Sequence, residues 1–113
     1  MDSFLILLQA RAIKARAAFD SAEAEFEASV EDASEEGRRA LISSSNNARR
    51  EFVTAARAAS AALEEAADEF SDAKTRREVL QAAYLLAEEV LEIGDQGAAV
   101  LERLTEALAD LPM

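Results

Sequence analysis

Residues 52–70 read FVTAARAASAALEEAADEF, and this stretch decides the fold. Its apolar residues recur at alternating steps of four and three, which is the 3.5-residue repeat of helices that pack lengthwise on one another. The same steps continue almost to the end of the chain, with three interruptions. The positions of this seam are Phe52, Ala56, Ala59, Leu63, Ala66, Phe70, Ala73, Arg77, Leu80, Tyr84, Ala87, Leu91, Gly94, Ala98, Leu101, Thr105 and Leu108, of which Arg77, Gly94 and Thr105 interrupt it.

A second seam with the same repeat occupies the N-terminal third. Its positions are Leu5, Leu8, Ala12, Ala15, Phe19, Ala22, Phe26, Ser29 and Ala33. Together the two seams predict an all-α protein, an antiparallel bundle of four helices with coiled-coil-like packing in a single domain, residues 1–113. We expect Phe19 and Phe70 to be buried in these seams.

The composition limits the chemistry that this chain can perform. Of its 113 residues, 27 are alanine, and there is no His, Cys or Trp. Histidine is the commonest general base and the commonest ligand of transition metals, so we expect no catalysis, no metal and no cofactor. Alanine contributes little buried area, so the core should be thin and the protein should gain stability from association with partners.

The net charge of −11 narrows the choice of partners. Such a surface repels nucleic acids and anionic membranes, and it favours basic proteins. The apolar run Phe4–Leu8 is too short to span a bilayer, which needs about 20 residues. Since this run follows Asp2 instead of a basic segment, we expect no signal peptide and a cytoplasmic location, with export by a dedicated system left open.

Capping and turn residues predict the boundaries of four helices. Helix one starts with Asp2 or Ser3 as N-cap and ends near Val30, helix two ends at Phe70, helix three runs from Ser71-Asp72 (or a capping box at Thr75) to Ile93, and helix four runs from Ala98 to about Asp110.

Two positions compete for the first turn. One is Asp32–Gly37, with Ser34 as the N-cap of the next helix. The other is Ser43–Asn47, five poor helix formers in a row, which would give a long hairpin with a short C-terminal helix folded back on it. A hairpin turn near residue 45 would set like charges against each other, whereas a turn at 32–37 brings the glutamates of residues 23–31 near the arginines of residues 38–50. We therefore favour the four-helix bundle and keep the hairpin as the alternative.

An uninterrupted acidic run covers residues 20–36, with eight carboxylates and no Lys or Arg. It is either a solvated helix face or a docking surface for a basic partner, because ordered carboxylates can imitate the phosphate spacing of a duplex. In composition the chain resembles small acidic helical proteins that block nucleases or other defence proteins, such as phage anti-defence proteins. The predicted partner-binding residues are Asp20, Glu23, Glu27, Glu31, Asp32, Glu35 and Glu36.

Two segments are apolar on more of their circumference than a surface helix needs, residues 4–8 and residues 79–93. They either cover each other in the centre of the bundle or form an interface between copies of the chain. The candidate interface residues are Phe4, Leu5, Leu8, Leu86 and Val90.

The only tyrosine, Tyr84, is followed four residues later by Glu88. A Tyr-x-x-x-acid motif near the end of the second long helix resembles the small hairpin proteins of type VII (ESX) secretion, in which it forms part of the export signal. The resemblance implies a helical partner protein and export that depends on Tyr84. It does not include the Trp-x-Gly turn of that family, since Ser43-Ser44-Ser45 stands at the equivalent place.

The sequence thus predicts a non-catalytic, acidic helical-bundle protein that acts by protein–protein interaction and self-associates as a structural or scaffolding component. One alternative is an acidic inhibitor or nucleic-acid mimic that docks on a basic protein. A second is a type VII secretion-like hairpin protein. Under all three hypotheses we expect no direct binding to nucleic acid and none to a membrane.

Overall fold

The computed structural model describes residues 3–94 and 97–111 and shows four α-helices with no strand among them. They are α1 (Ser3–Ser29), α2 (Glu35–Ala67), α3 (Ala73–Gly94) and α4 (Ala98–Ala109). Each helix packs chiefly on the next one in the chain, α1 on α2, α2 on α3 and α3 on α4. The predicted all-α four-helix bundle is confirmed. Of the predicted ends, Asp2 and the turn residues Asp95 and Gln96 lie outside the described part of the chain.

The first turn lies at residues 30–34, inside or beside the favoured position and not at Ser43–Asn47. Ser34 caps α2 as predicted, since its hydroxyl accepts a 3.1 Å hydrogen bond from the N–H of Gly37. The guanidinium of Arg38 donates to the carbonyl oxygens of Val30 and Glu31, which satisfies backbone groups that the turn would leave exposed.

The alternative turn at Ser43–Asn47 is wrong, because α2 continues through these residues. Two of their polar side chains are used within the helix, where Arg49 and Arg50 donate to the amide oxygens of Asn46 and Asn47. A third, Ser45, bonds across to α1. Helix propensity is a weak signal, and these contacts override it.

The later boundaries follow the prediction closely. Helix α2 ends at Ala67, three residues before the predicted Phe70. The carboxylate of Asp72 accepts hydrogen bonds from the N–H and the hydroxyl of Thr75, so Asp72 is the functional cap at the start of α3. Before α4 the chain reverses at Gly97, whose φ of 99° lies in the left-handed region that glycine adopts without steric penalty.

The core lies at one end of the molecule. Two clusters of buried residues line it, and none of residues 13–51 is buried. The first cluster is Leu5, Leu63, Ala67, Val79, Leu80, Ala83, Ala87 and Leu104, and the second is Ala12, Phe52, Ala56, Ala59 and Val90. The expected burial of Phe19 and Phe70 is wrong, since both are only half-buried; Phe52 is the aromatic residue of the core.

The molecule is elongated as a consequence. Its principal extents are 57 × 27 × 17 Å and its radius of gyration is 17.0 Å, whereas a compact chain of this length would have about 13 Å. Helix α3 ends at Gly94 beside Val53, and the chain then reverses. The part of the α1–α2 hairpin beyond this point, residues 17–50, therefore projects past α3 and α4, and we call it the extension.

Candidate interaction surfaces

The extension carries much of the charge of the protein. Its residues 17–50 include eight carboxylates, all in α1, the turn and the first turn of α2, and four arginines, all in α2. It is held together by a half-buried seam and by the hydroxyl of Ser45, which donates a 2.6 Å hydrogen bond to the carboxylate of Glu23. The two helices of the extension thus differ in charge, α1 being acidic and α2 basic.

The seven predicted partner-binding carboxylates do not form one continuous face. Glu23 is half-buried and turned toward α2. Asp20 forms a 3.1 Å ion pair with Arg16, and Glu35 forms one of 2.9 Å with Arg39. The remaining four, Glu27, Glu31, Asp32 and Glu36, are exposed near the turn of the hairpin.

The predicted oligomer interface is largely inside the monomer. Leu5 and Val90 are buried, and Leu8 and Leu86 are half-buried against the core. Leu5 and Val90 cannot meet a partner unless the core opens. Of the five, Phe4 alone is mostly exposed, at 59%.

Few of the apolar residues that the structure exposes were named from the sequence. Besides Phe4 the exposed residues are Ile6, Leu7, Ile13, Ile42 and Leu85. Ile6, Leu7 and Leu85 fall within the segments 4–8 and 79–93 that the sequence singled out, but Ile13 and Ile42 were missed. A signal for part of this set was present, because Ile6, Ala10, Ile13 and Ala17 repeat at steps of four, three and four, parallel to the inner seam of α1. Helix α1 has an inner and an outer apolar stripe, and the outer one lies on exposed positions.

Arg16 joins three helices beside this outer stripe. Its guanidinium lies 3.3 Å from the carboxylate of Glu89 on α3 and 3.1 Å from that of Asp20, and it lies over the ring of Phe52 on α2 at 5.7 Å from the centroid. An arginine over an aromatic face contributes about 0.5–1 kcal/mol at partly exposed sites. Through Arg16, α1 is therefore linked to α3 by an ion pair and to α2 by the ring of Phe52.

The basic cluster at the start of α3 binds backbone oxygens. Arg76 donates to the carbonyl oxygens of Ala67 and Phe70, where α2 ends. Arg77, the basic residue on the seam, is half-buried and donates to the carbonyl of Leu111. Arg76 therefore joins the start of α3 to the end of α2, and Arg77 joins it to the residue Leu111 beyond α4.

A cleft of about 330 Å³ lies between α2, α3 and α4. Its walls are mostly small apolar residues, and its polar residues are engaged with protein groups. Ser60 donates to the carbonyl of Ala83, and Arg103 pairs with Glu64 at 2.9 Å. The hydrogen bond with Glu64 raises the pKa of Arg103 above its ordinary value. The cleft supplies no unpaired buried polar group to direct a ligand, since every buried side-chain nitrogen or oxygen of the described residues has a partner.

Within residues 3–94 and 97–111 no three acidic side chains are grouped so that they could hold a metal ion. Among the helices of that same part of the chain, none combines the length and apolar character needed to cross a bilayer.

Comparison with protein-family models, with curated proteins and with solved structures found no match. The resemblance to type VII secretion hairpins also does not extend to the turn, because Ser43-Ser44-Ser45 lies inside α2. Tyr84 is half-buried against the core and Glu88 is exposed.

Proposed function

We propose that this protein acts by binding protein, without catalysis, and that it self-associates as a structural or scaffolding component. The observation that carries the proposal is the exposed apolar surface of α1 and α3. Ile6, Ile13 and Leu85 are 55%, 70% and 61% exposed, although they sit beside the best-packed part of the molecule. Large apolar side chains concentrated on one face of a monomer are typical of interaction sites.

The thin core supports the same proposal. Of the thirteen buried apolar residues in the described part of the chain, six are alanines, and these contribute little buried area. An elongated body with a small core has much surface for its size. Contact of the outer stripe with another chain would therefore add substantially to the apolar area that the monomer buries.

Sedimentation velocity over a hundredfold concentration range, at low and at high salt, tests this proposal. We expect the sedimentation coefficient to rise with concentration and the association to persist in part at high salt, because apolar burial is not screened. A monomer at every concentration and salt would refute self-association.

The second candidate function is that of an acidic inhibitor, and it is favoured by the exposed carboxylates near the turn of the extension. Glu27, Glu31, Asp32 and Glu36 lie far from the core, where a basic groove could receive them. Inhibition of purified nucleases on duplex DNA, falling steeply as salt rises, would support it. A variant with these four residues changed to Lys should lose the inhibition and keep its helicity.

A further inference from the structure

At the core end of the molecule, α3 packs on one surface of the α1–α2 hairpin. In the extension the continuation of this surface is not covered by a third helix, and we call it the uncovered seat. Along α2, Ile42, Arg49, Val53 and Ser60 follow one another at intervals of seven, four and seven, and so lie on one line of the helix. The last two contact α3: Ser60 bonds to Ala83, and Val53 lies so close to Gly94 that a methyl group there would be 2.9 Å from its Cγ2. Ile42, 48% exposed, and Arg49 continue this line beyond the end of α3.

On α1, too, the line of residues that contacts α3 continues into the extension. There it carries carboxylates, whereas the line on α2 carries Arg49. Arg16 contacts α3 through Glu89, and Asp20 and Glu27 follow it on α1 at intervals of four and seven. Glu31 lies in the turn just beyond the end of α1 at Ser29. The uncovered seat therefore has carboxylates on its α1 side and Ile42 with Arg49 on its α2 side.

A face on the core end of the molecule has the complementary order, and we call it the body face. Its centre consists of Ile6 and Ile13 on the outer stripe of α1, together with Leu85 on α3. Arg16 and Glu89 pair across the two helices, and Ile13 and Leu85 each lie about one turn before them, so these two apolar residues are at the same level. Glu78 and Glu92 flank Leu85 at intervals of seven, so the α3 side is acidic. Lys14 lies on the opposite side of the stripe from Arg16, since two residues turn a helix by about 200°.

We propose that the extension of one copy docks on the body face of a second copy. Ile42 then packs against Ile13 and Leu85, Arg49 faces the glutamates of α3, and the carboxylates of α1 face Lys14. This inference rests on the proposed self-association and adds its geometry. Because the two faces are different, the contact is head-to-tail, and each copy keeps one free extension and one free body face for further copies.

Charge complementarity selects a second copy as the occupant. The uncovered seat has carboxylates on its α1 side and Ile42 with Arg49 on its α2 side, so it fits a surface that is basic on one side and both apolar and acidic on the other. The body face has Lys14 on one side and Leu85, between Glu78 and Glu92, on the other. Because few large apolar residues lie on either face, we expect the association to be weak and to depend on concentration.

Single-face variants test this geometry. Ile42→Asp replaces the apolar centre of the extension, and Leu85→Asp replaces that of the body face. Each should prevent the contact, because a carboxylate buried in it would lose its hydration. Ala99→Asp is the control for an added surface carboxylate, since Ala99 is an exposed residue of α4, a helix that belongs to neither face. All three positions are exposed on helices, and circular dichroism checks that the variants fold.

We expect the wild-type chain and Ala99→Asp to form species larger than dimers as concentration rises in sedimentation velocity, and each single-face variant alone to stay monomeric. An equimolar mixture of Ile42→Asp and Leu85→Asp should give a one-to-one dimer that does not grow, because each variant retains the face that the other lacks. Association of Ile42→Asp alone, or a mixture that stays monomeric, would overturn the head-to-tail contact while wild-type self-association still stands. A wild-type chain that is monomeric throughout would overturn the proposed function itself.

Discussion

Ser45 on α2 donates a 2.6 Å hydrogen bond to the carboxylate of Glu23 on α1, across 22 residues of chain. The same antiparallel register brings Leu5 into one buried cluster with Leu63, and Ala12 into another with Ala56. A turn at Ser43–Asn47 is incompatible with this register, because Ser45 would then lie at the tip of the hairpin. The bond therefore marks α2 as continuous through the residues with the lowest helix propensity.

Proline substitution distinguishes a helix interior from a turn at this place. Ser44→Pro should destabilise the protein by about 3 kcal/mol or more, because proline removes a backbone hydrogen bond and clashes with the preceding turn. Glu35→Pro is the control, since the first position of a helix accepts proline readily. Urea unfolding followed by circular dichroism measures both, and equal stabilities would contradict the continuous helix.

Truncation of the phenylalanines maps the extent of the core. Phe52 is fully buried beneath Arg16, so Phe52→Ala should lower the free energy of unfolding by about 3–5 kcal/mol. Phe19 is half-buried in the extension, so Phe19→Ala should cost about 1–2 kcal/mol, in proportion to its burial. Thermal or urea unfolding of the two variants tests this order. A larger loss of stability for Phe19→Ala than for Phe52→Ala would contradict a core at the Phe52 end of the molecule.

A methyl group at Gly94 should destabilise the contact between α3 and α2. Gly→Ala substitution at an unobstructed helical site stabilises by about 0.4–1 kcal/mol, but here the new Cβ would lie 2.9 Å from Cγ2 of Val53. Val is stiff at χ1, so we expect overpacking of about 1–3 kcal/mol to outweigh the gain.

The double variant Val53→Ala/Gly94→Ala serves as the control for that prediction. Removal of the Val53 methyl groups makes room for the new Cβ, so the double variant should be more stable than the sum of the single changes predicts. Additive effects in urea unfolding would mean that the two residues do not touch.

The cap of α3 should give a specific pH dependence. Hydrogen bonds from the hydroxyl and the N–H of Thr75 hold the pKa of Asp72 below its ordinary value of 3.8. A carboxyl group with a lowered pKa in the folded state contributes its stability above the unfolded pKa and loses it as the pH falls through the folded pKa. Asp72→Asn keeps a capping oxygen that does not titrate.

We therefore expect the melting temperature of the wild-type protein, relative to Asp72→Asn, to fall as the pH is lowered from neutral to about 2. Differential scanning calorimetry of the two proteins measures it, and the many other carboxylates cancel in the comparison. A difference that stays constant with pH would show that Thr75 does not stabilise the Asp72 carboxylate.

The repeat of apolar residues predicted the all-α fold, while the capping and turn residues and the pattern of charges predicted the number of helices and most of their ends. It identified the helix but not always the buried face, since Ala83, Val90 and Leu104 are core residues that lie off the predicted seam. A helix in contact with two neighbours buries a wider arc than one heptad line. The interaction surfaces were predicted less accurately. Whether a residue of α1 or α2 is exposed depends on where α3 ends, and the sequence pattern of α1 and α2 contains no information on the end of α3.

Hydrogen exchange at two protein concentrations tests the central claim most directly. In dilute protein we expect the amides of the extension, residues 17–50, to exchange faster than those of residues 52–67 and 79–90, because no third helix covers them. At high concentration the extension and the outer residues of α1 and α3 should gain protection together. Uniform protection along α2 in dilute protein, or protection that does not change with concentration, would contradict the account.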